Sequence, residues 1–454
     1  MKTQKDSNPN TALQTTRKNN NQLTISKRSN TMKNINAFKK IFVIMLAVAT
    51  LAANLVAGTF TNNGTFTNKV NRTATFTAFT NGAAGTTNNL GTLNVKGVLT
   101  QSAPAANFKT STGTIGYTGN AAQDVLAGTS IDLGIYGGLA LNSTGAFTKT
   151  LLGNATVAGG VALTGDASFT IGATQLTVTR TGSAIFSNTS TGSYTFTGGT
   201  VVYNATAAQT VFPSTYGNLT LSGGSGSVKT SDGDVTVNTV LTVDASNTLL
   251  VDGATGLADL ILGAGADITN NGTINQADED GLFTASDAGN AITNGASALI
   301  KIAGTASFTS NPTIGGTVEY YAAVAAQNIA QADYVNLTLT NAGSKDFAAV
   351  EYKVRQAFTS TGGTVTFAAG NIFHYSGVTA DGGSQTVAAL NNYREIKFSG
   401  DTDKNITGTL AAETLTNTSS SLNGVYIQGA GDVTISGTVT NDGTITNDGV
   451  LTVN

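Results

Sequence analysis

Residues 431–454 read GDVTISGTVTNDGTITNDGVLTVN. Gly431, Gly437, Gly443 and Gly449 stand six apart, and each opens a short run in which Val, Ile or Leu alternates with Thr or Ser. A period of two puts the apolar side chains on one face of a strand and the polar ones on the other. The Asn-Asp corners between runs suit a tight turn, because the following Gly tolerates positive φ. Similar hexads open the stretch 58–68, GTFTNNGTFTN, and recur at 268–275 as ITNNGTIN. Hexads this alike suit a solenoid, stacked coil on coil with their Asn corners in side-chain ladders. Asn-Gly and Asp-Gly also make two-residue hairpin turns, so a set of hairpins is the alternative.

The rest of the chain follows the same grammar. QLTVT at 175–179 and DVTVN at 234–238 alternate in the same way, and after residue 57 no stretch sustains a 3.6-residue apolar period. The expected fold class is all-β: a parallel β-helix, or β-solenoid, built from degenerate repeats. At roughly 20 residues per coil and about 4.8 Å between coils, it would have about 20 coils. Thr, Asn and Ser would face outward, with Val, Ile, Leu and Phe filling a narrow core.

A longer module recurs between the hexad-rich ends. Gly199-Thr-Val-Val-Tyr203 is followed by Gln209, Tyr216 and Lys229, and Gly316-Thr-Val-Glu-Tyr320 by Gln327, Tyr334 and Lys345. A weaker copy holds Gly113, Tyr117 and Gln123, and a fourth holds Tyr375, Gln385, Tyr393 and Lys404. The interval between successive Gln residues is irregular, so coils were inserted or lost between copies. Gln can satisfy backbone groups at a coil corner, and the tyrosines suit packing at the edge of the core. With its Gly-Thr-Val-x-Tyr, Gln-x-Val and Tyr-x-Asn-Leu elements, the region 113–454 resembles the repeats of secreted, adhesin-like β-solenoid surface proteins of Bacteroidota- and Chlorobi-type bacteria. That resemblance implies a parallel β-helix displayed at the cell surface with no defined catalytic site.

An export signal is expected ahead of the repeats. Lys33, Lys39 and Lys40 precede the apolar run Ile41–Ala53, which is too short for a membrane span and is followed by small residues that suit cleavage after Ala53 or Ala57. The organisation expected is a polar extension over 1–31 (untranslated, or part of the leader), a signal peptide over 32–57, hexad coils over 58–112, a central solenoid with Gln/Tyr modules over 113–430, and glycine-hexad coils over 431–454. Removing 1–57 takes away nine of the 23 basic residues and one of the 26 acidic ones, leaving 14 against 25 and a net charge near −11. Such a surface repels phosphates and anionic lipid, so neither nucleic acid nor, after cleavage, a membrane span is expected. The chain has no Cys or Trp, and its Met residues (Met1, Met32, Met45) all lie in the leader. Little remains for oxidants to attack, which suits exposed material.

Candidate chemistry is sparse, and no catalytic, cofactor-binding or metal-ligating residue is assigned. His374 is the only histidine and is expected as a surface residue of a repeat strand. Asp278-Glu279-Asp280 offers carboxylates without the spaced ligands of a calcium loop, and Asp232, Asp234, Asp401 and Asp403 read as acidic turns. Arg72, Arg180, Arg355 and Arg394 sit in no dense acidic constellation. The expected function is therefore a secreted or cell-surface structural or adhesive protein, not an enzyme, that meets surface polysaccharide, other envelope material or itself. A self-assembling filament or sheath subunit is the alternative, and a polysaccharide-degrading β-helix enzyme a remote one.

Overall fold

The computed structural model describes residues 55–454, apart from 128–129, 132–133, 225, 254–256, 286–290, 310, 324–325, 382 and 420–423. Residues 1–54, with the expected polar extension and most of the signal peptide, lie outside the described residues.

Parallel pairing between successive coils settles the choice between solenoid and hairpins. Every pairing between strands among the described residues is parallel, and the chain winds through about 18 turns of a β-solenoid. Coil length explains why this is below the expected 20. A turn takes from 18 residues (Thr200 to its partner Asn218) to 27 (Val240 to Asp267). The first strand, Leu55–Asn62, begins ahead of the expected boundary at residue 57, and Leu55, Val56 and Ala57 pair with Ala74, Thr75 and Phe76.

Register turns the two-residue period into rows that run from coil to coil. Leu249, Ile274, Ile300, Val318, Leu337 and Phe358 are successive partners, and all are buried. With coils about 4.8 Å apart, each side chain lies in van der Waals contact with the next, so the core is a continuous apolar stack. The outward row of the same strands runs Asn275, Lys301, Glu319, Thr338 and Thr359. On it Lys301 pairs with Glu319 at 3.3 Å.

Long strands such as Tyr194–Tyr203 and Thr313–Tyr320 bend midway, where the register shifts between Phe196 and Thr200 and between Ile314 and Thr317. The glycine that opens the Gly-Thr-Val-x-Tyr element sits at this bend. A Cβ on Gly199 would lie 2.3 Å from Thr174 O, and one on Gly316 2.3 Å from Gly295 O. The bend therefore presses backbone directly on backbone, which only Gly permits.

The corner asparagines form the expected ladders but point inward. Asn62 Nδ2 donates to Asn81 Oδ1 at 2.8 Å, Asn68 to Asn89 at 2.9 Å, Asn270 to Asn294 at 2.7 Å and Asn417 to Asn441 at 2.7 Å. Asn81, Asn89, Asn270 and Asn417 are fully buried, so these residues line the interior instead of hydrating an outer face. The reason is local: Asn270 Oδ1 accepts the amide of Gly272 two residues on, which folds the side chain into its own turn.

Asn270→Ala should cost about 1–3 kcal/mol, because it strands the Gly272 amide and one acceptor on Asn294. Thr269→Ala, on the outward side of the same strand, should stay within about 0.5 kcal/mol. Urea unfolding of the two variants checks this, and equal losses would remove the ladder's structural role.

Candidate functional site

The Gln/Tyr module is one three-dimensional device used four times. Its Gln and Lys are direct partners on successive coils: Gln123 with Lys149, Gln209 with Lys229, Gln327 with Lys345 and Gln385 with Lys404. All eight side chains point inward and are buried. In the second copy, Gln209 Oε1 accepts the amide of Ala205 at 2.9 Å, while its Nε2 donates to Val178 O at 3.1 Å and Arg180 O at 2.8 Å on the coil before. Lys229 Nζ reaches back from the coil after, to Ala205 O at 2.6 Å and Ala207 O at 3.3 Å. One Gln and one Lys thus tie three coils through backbone groups that the strand ladder leaves unpaired.

Each copy adds a pair of buried tyrosines whose hydroxyls meet: Tyr117 with Tyr136 at 3.3 Å, Tyr203 with Tyr216 at 3.1 Å, Tyr320 with Tyr334 at 3.0 Å and Tyr375 with Tyr393 at 2.8 Å. The first hydroxyl of each pair also accepts a backbone amide, from Leu126, Phe212, Ala330 and Ala388 respectively. The second donates to the carbonyl of that same residue. The tyrosines are therefore not core-edge packing. They sit inside, and their hydroxyls satisfy both the N–H and the C=O of one residue. Tyr136 and Lys149 complete the first copy, and spacing does not reveal them, because Gln-to-Tyr is 13 residues there against seven in the second and third copies.

Burial sets the ionisation of these groups. It pushes Lys149, Lys229 and Lys404 down to about 8, and it lowers Lys345 against the nearby charges of Glu279 and Asp346. The ammonium contacts are carbonyl, hydroxyl and amide oxygens, which hold a cation without neutralising it. Burial raises Tyr117 to about 12 and the other seven paired tyrosines as well.

Most carboxylates of the acidic segments accept structural hydrogen bonds. Asp278 accepts the amides of Ala258 and Asp280 at 3.0 Å each, Glu279 that of Ala323 at 2.7 Å, Asp234 that of Asp259 at 3.1 Å and Asp401 that of Thr379 at 2.6 Å. Asp403 accepts from Gly424 at 3.3 Å. Two of the arginines are paired, Arg355 with Asp381 at 2.7 Å and Arg394 with Glu413. No group of three or more potential metal ligands occurs among the described residues.

His374 departs from its expected place. It lies on the strand Ile372–Tyr375 and on the outward row, between its partners Lys353 and Lys397, yet it is only 6% exposed. Its Nδ1 lies 2.6 Å from Glu351 Oε1 on the coil before, and its Nε2 lies 2.6 Å from Ser399 Oγ on the coil after. Burial drives the imidazole down to about 4 against the pull of Glu351, with Lys397 and Lys353 acting in the same direction as burial. Partial burial works against ionising Glu351, but the His374 hydrogen bond and the Lys397 and Lys353 charges hold its carboxyl below the usual range. At neutral pH the ring is therefore uncharged and its single proton belongs on Nδ1, facing the carboxylate. Nε2 is left to accept from the Ser399 hydroxyl. Sequence spacing could not reveal this line, because its members are 23 and 25 residues apart, one coil each.

Tyr203→Phe should destabilise the protein by about 1–3 kcal/mol, since it leaves the Phe212 amide without a partner in a dry site. Amide hydrogen exchange should localise that loss to the coils around residues 203–216. The lysines and tyrosines also fix the alkaline stability profile. Between about pH 8 and 10.5 the unfolded chain binds more protons on lysine than the folded one, so stability rises with pH. Above pH 10 unfolded tyrosines ionise while the buried ones stay protonated, so stability falls. Denaturation midpoints should peak near pH 10, and Lys229→Met should flatten the rise. A steady decline from pH 7 would contradict this assignment.

No family model, no curated protein and no solved structure matches the chain. The functional reading therefore rests on the coils and the side chains that join them.

Proposed function

We propose that the chain is a secreted or cell-surface structural solenoid, serving as a scaffold or adhesive that meets surface polysaccharide or other envelope material. One observation carries this reading: a lock of buried Tyr, Gln and Lys recurs four times and is invested wholly in holding coil to coil. A protein that buries its large polar side chains to hold coil to coil is organised for persistence and display. The outer rows support the same reading, because Thr, Asn and Ser offer many hydroxyls and amides with little charge, a surface suited to hydrated polymers. The apolar segment Ile41–Ala53 and the absence of Cys support export. Immunogold labelling of intact cells should place the protein outside the cell. Label confined to the cytoplasm would defeat the proposal.

A second reading, head-to-tail assembly into a filament, is favoured by one correspondence. GTFTNNGTFTN at 58–68 and GTVTNDGTITN at 437–447 cover the same kind of corner, with Asn62 and Asn68 matching Asn441 and Asn447. The strand Val450–Val453 exposes Val450 by 54% and Val453 by 52%. A coil like Leu55–Asn68 of a second copy would cover Val453, which stands in register with buried Ile435, and continue the ladder. Electron microscopy of residues 58–454 across a concentration series should then show particles that lengthen with concentration. Short particles of constant length would leave only the scaffold reading.

A further inference from the structure

The line Glu351, His374, Ser399 belongs to none of the locks and lies on the outward face. We propose that Ser399 is the nucleophile of an acyl-transfer site, with His374 as its general base and Glu351 as the group that orients the imidazole. The geometry carries the proposal. Three successive coils each supply one residue, the acid faces Nδ1, the hydroxyl faces Nε2, and both separations are 2.6 Å. This is the arrangement in which a neutral imidazole takes the hydroxyl proton while the carboxylate steadies the imidazolium that forms.

The surroundings fit that role. Glu351 also has Lys397 Nζ at 3.6 Å, so its charge is held in place. Lys353 and Lys397 stand in register on either side of His374, and Lys397, two residues before Ser399 on the same strand face, is the cation that would turn from Glu351 to a developing oxyanion. Phe373 and Tyr375, on either side of His374, are buried in the core, which fixes the strand that carries the ring. Gly400, directly after Ser399, has φ +90 and sits against Gly377 O, where a Cβ would approach to 2.0 Å. The chain therefore turns sharply past the hydroxyl, and no larger side chain can stand at that turn.

The chemistry balances without a cofactor. Ser399 Oγ attacks the carbonyl carbon of a carboxylic ester as His374 Nε2 takes its proton. The tetrahedral adduct collapses, the C–O bond to the alcohol breaks, and the Nε2 proton passes to the departing oxygen. Water, deprotonated by the same nitrogen, then attacks the Ser399 ester, releasing the carboxylic acid and restoring the hydroxyl. The substrate class follows from the place. Ser399 lies on the outward face of a sheet whose coils are about 4.8 Å apart, so an acyl group small enough to lie over one coil can reach it while the alcohol portion stays in the open. That describes a short acyl ester, such as an O-acetyl group, carried on an extended polar chain. The inference goes beyond the scaffold reading and stands against the sequence-level expectation that no catalytic residue is present. Either proposal can fail without the other.

The test is covalent labelling of the folded protein with a fluorophosphonate probe, followed by peptide mapping. Burial makes His374 a weak base, so general-base assistance at the lower end of its usual range predicts that Ser399 is labelled about 100-fold faster than the other serines. Ser399→Ala should abolish the label with an unchanged circular dichroism spectrum, and His374→Gln should lower the Ser399 rate to that of the other serines. Glu351→Gln should lower it in part, and p-nitrophenyl acetate turnover should follow the labelling across the three variants. Labelling of Ser399 no faster than at other serines would overturn the proposal, as would acetate-ester turnover equal in Ser399→Ala and the unsubstituted chain. Cell-surface localisation is unaffected by either result, so the scaffold reading is judged separately.

Discussion

At every corner of a solenoid coil the peptide groups turn away from the strand ladder while still facing a dry interior. A buried amide or carbonyl without a partner costs about as much as a lost hydrogen bond, and a chain that turns several corners in each of about 18 coils meets this cost repeatedly. The structure answers it with side chains of fixed reach. Asn closes the tight Asn-x-Gly corners within one coil and passes a hydrogen bond to the next. Gln reaches one coil back, and Lys extends the same link one coil forward. The paired tyrosine hydroxyls close on the N–H and the C=O of a single residue. The apolar rows supply most of the cohesion, and this polar set decides where the wider corners can be.

How much of this could be read in advance depends on whether the physical signal is local. Alternation in runs such as 234–238 marks strands directly, and the hexads of 431–454 mark stacking, because identical short units have nowhere else to bury their apolar face. The role of Gln209 was also legible, since an uncharged side chain with both donor and acceptor suits a corner. The lysines were not. A lysine in a polar repeat reads as solvated, and only the register of Lys229 with Leu249 on the neighbouring strand reveals that it points inward. Tyr136 and Lys149 are hidden for a different reason, an enlarged corner that stretches their spacing. The inward turn of Asn270 needed the geometry of its own Asx turn, which composition does not carry.

The same distinction governs His374. Its strand and its outward row were readable from the module, but its burial was not. The cover comes from Glu351 and Ser399 on other coils, and a solenoid makes sequence-distant residues adjacent at intervals that vary with each coil. Variable coil length, from 18 to 27 residues, is thus what hides the lateral chemistry of this protein while leaving its fold easy to recognise.

Unequal spacing of the locks also bears on how the molecule answers a pull along its axis. Parallel coils separate one at a time, each peeling from its neighbour as a seam opens. Stretches fastened by strand ladder and apolar rows alone would yield coil by coil, at a lower load than the locked ones. A seam reaching Gln209 or Gln327 would stall until buried amide, ammonium and phenol groups were all exposed together. Extension would therefore proceed in a few large steps, their lengths set by the irregular distances between locks. Under tension the protein would give way in graded stops, set by its corners more than by its strands.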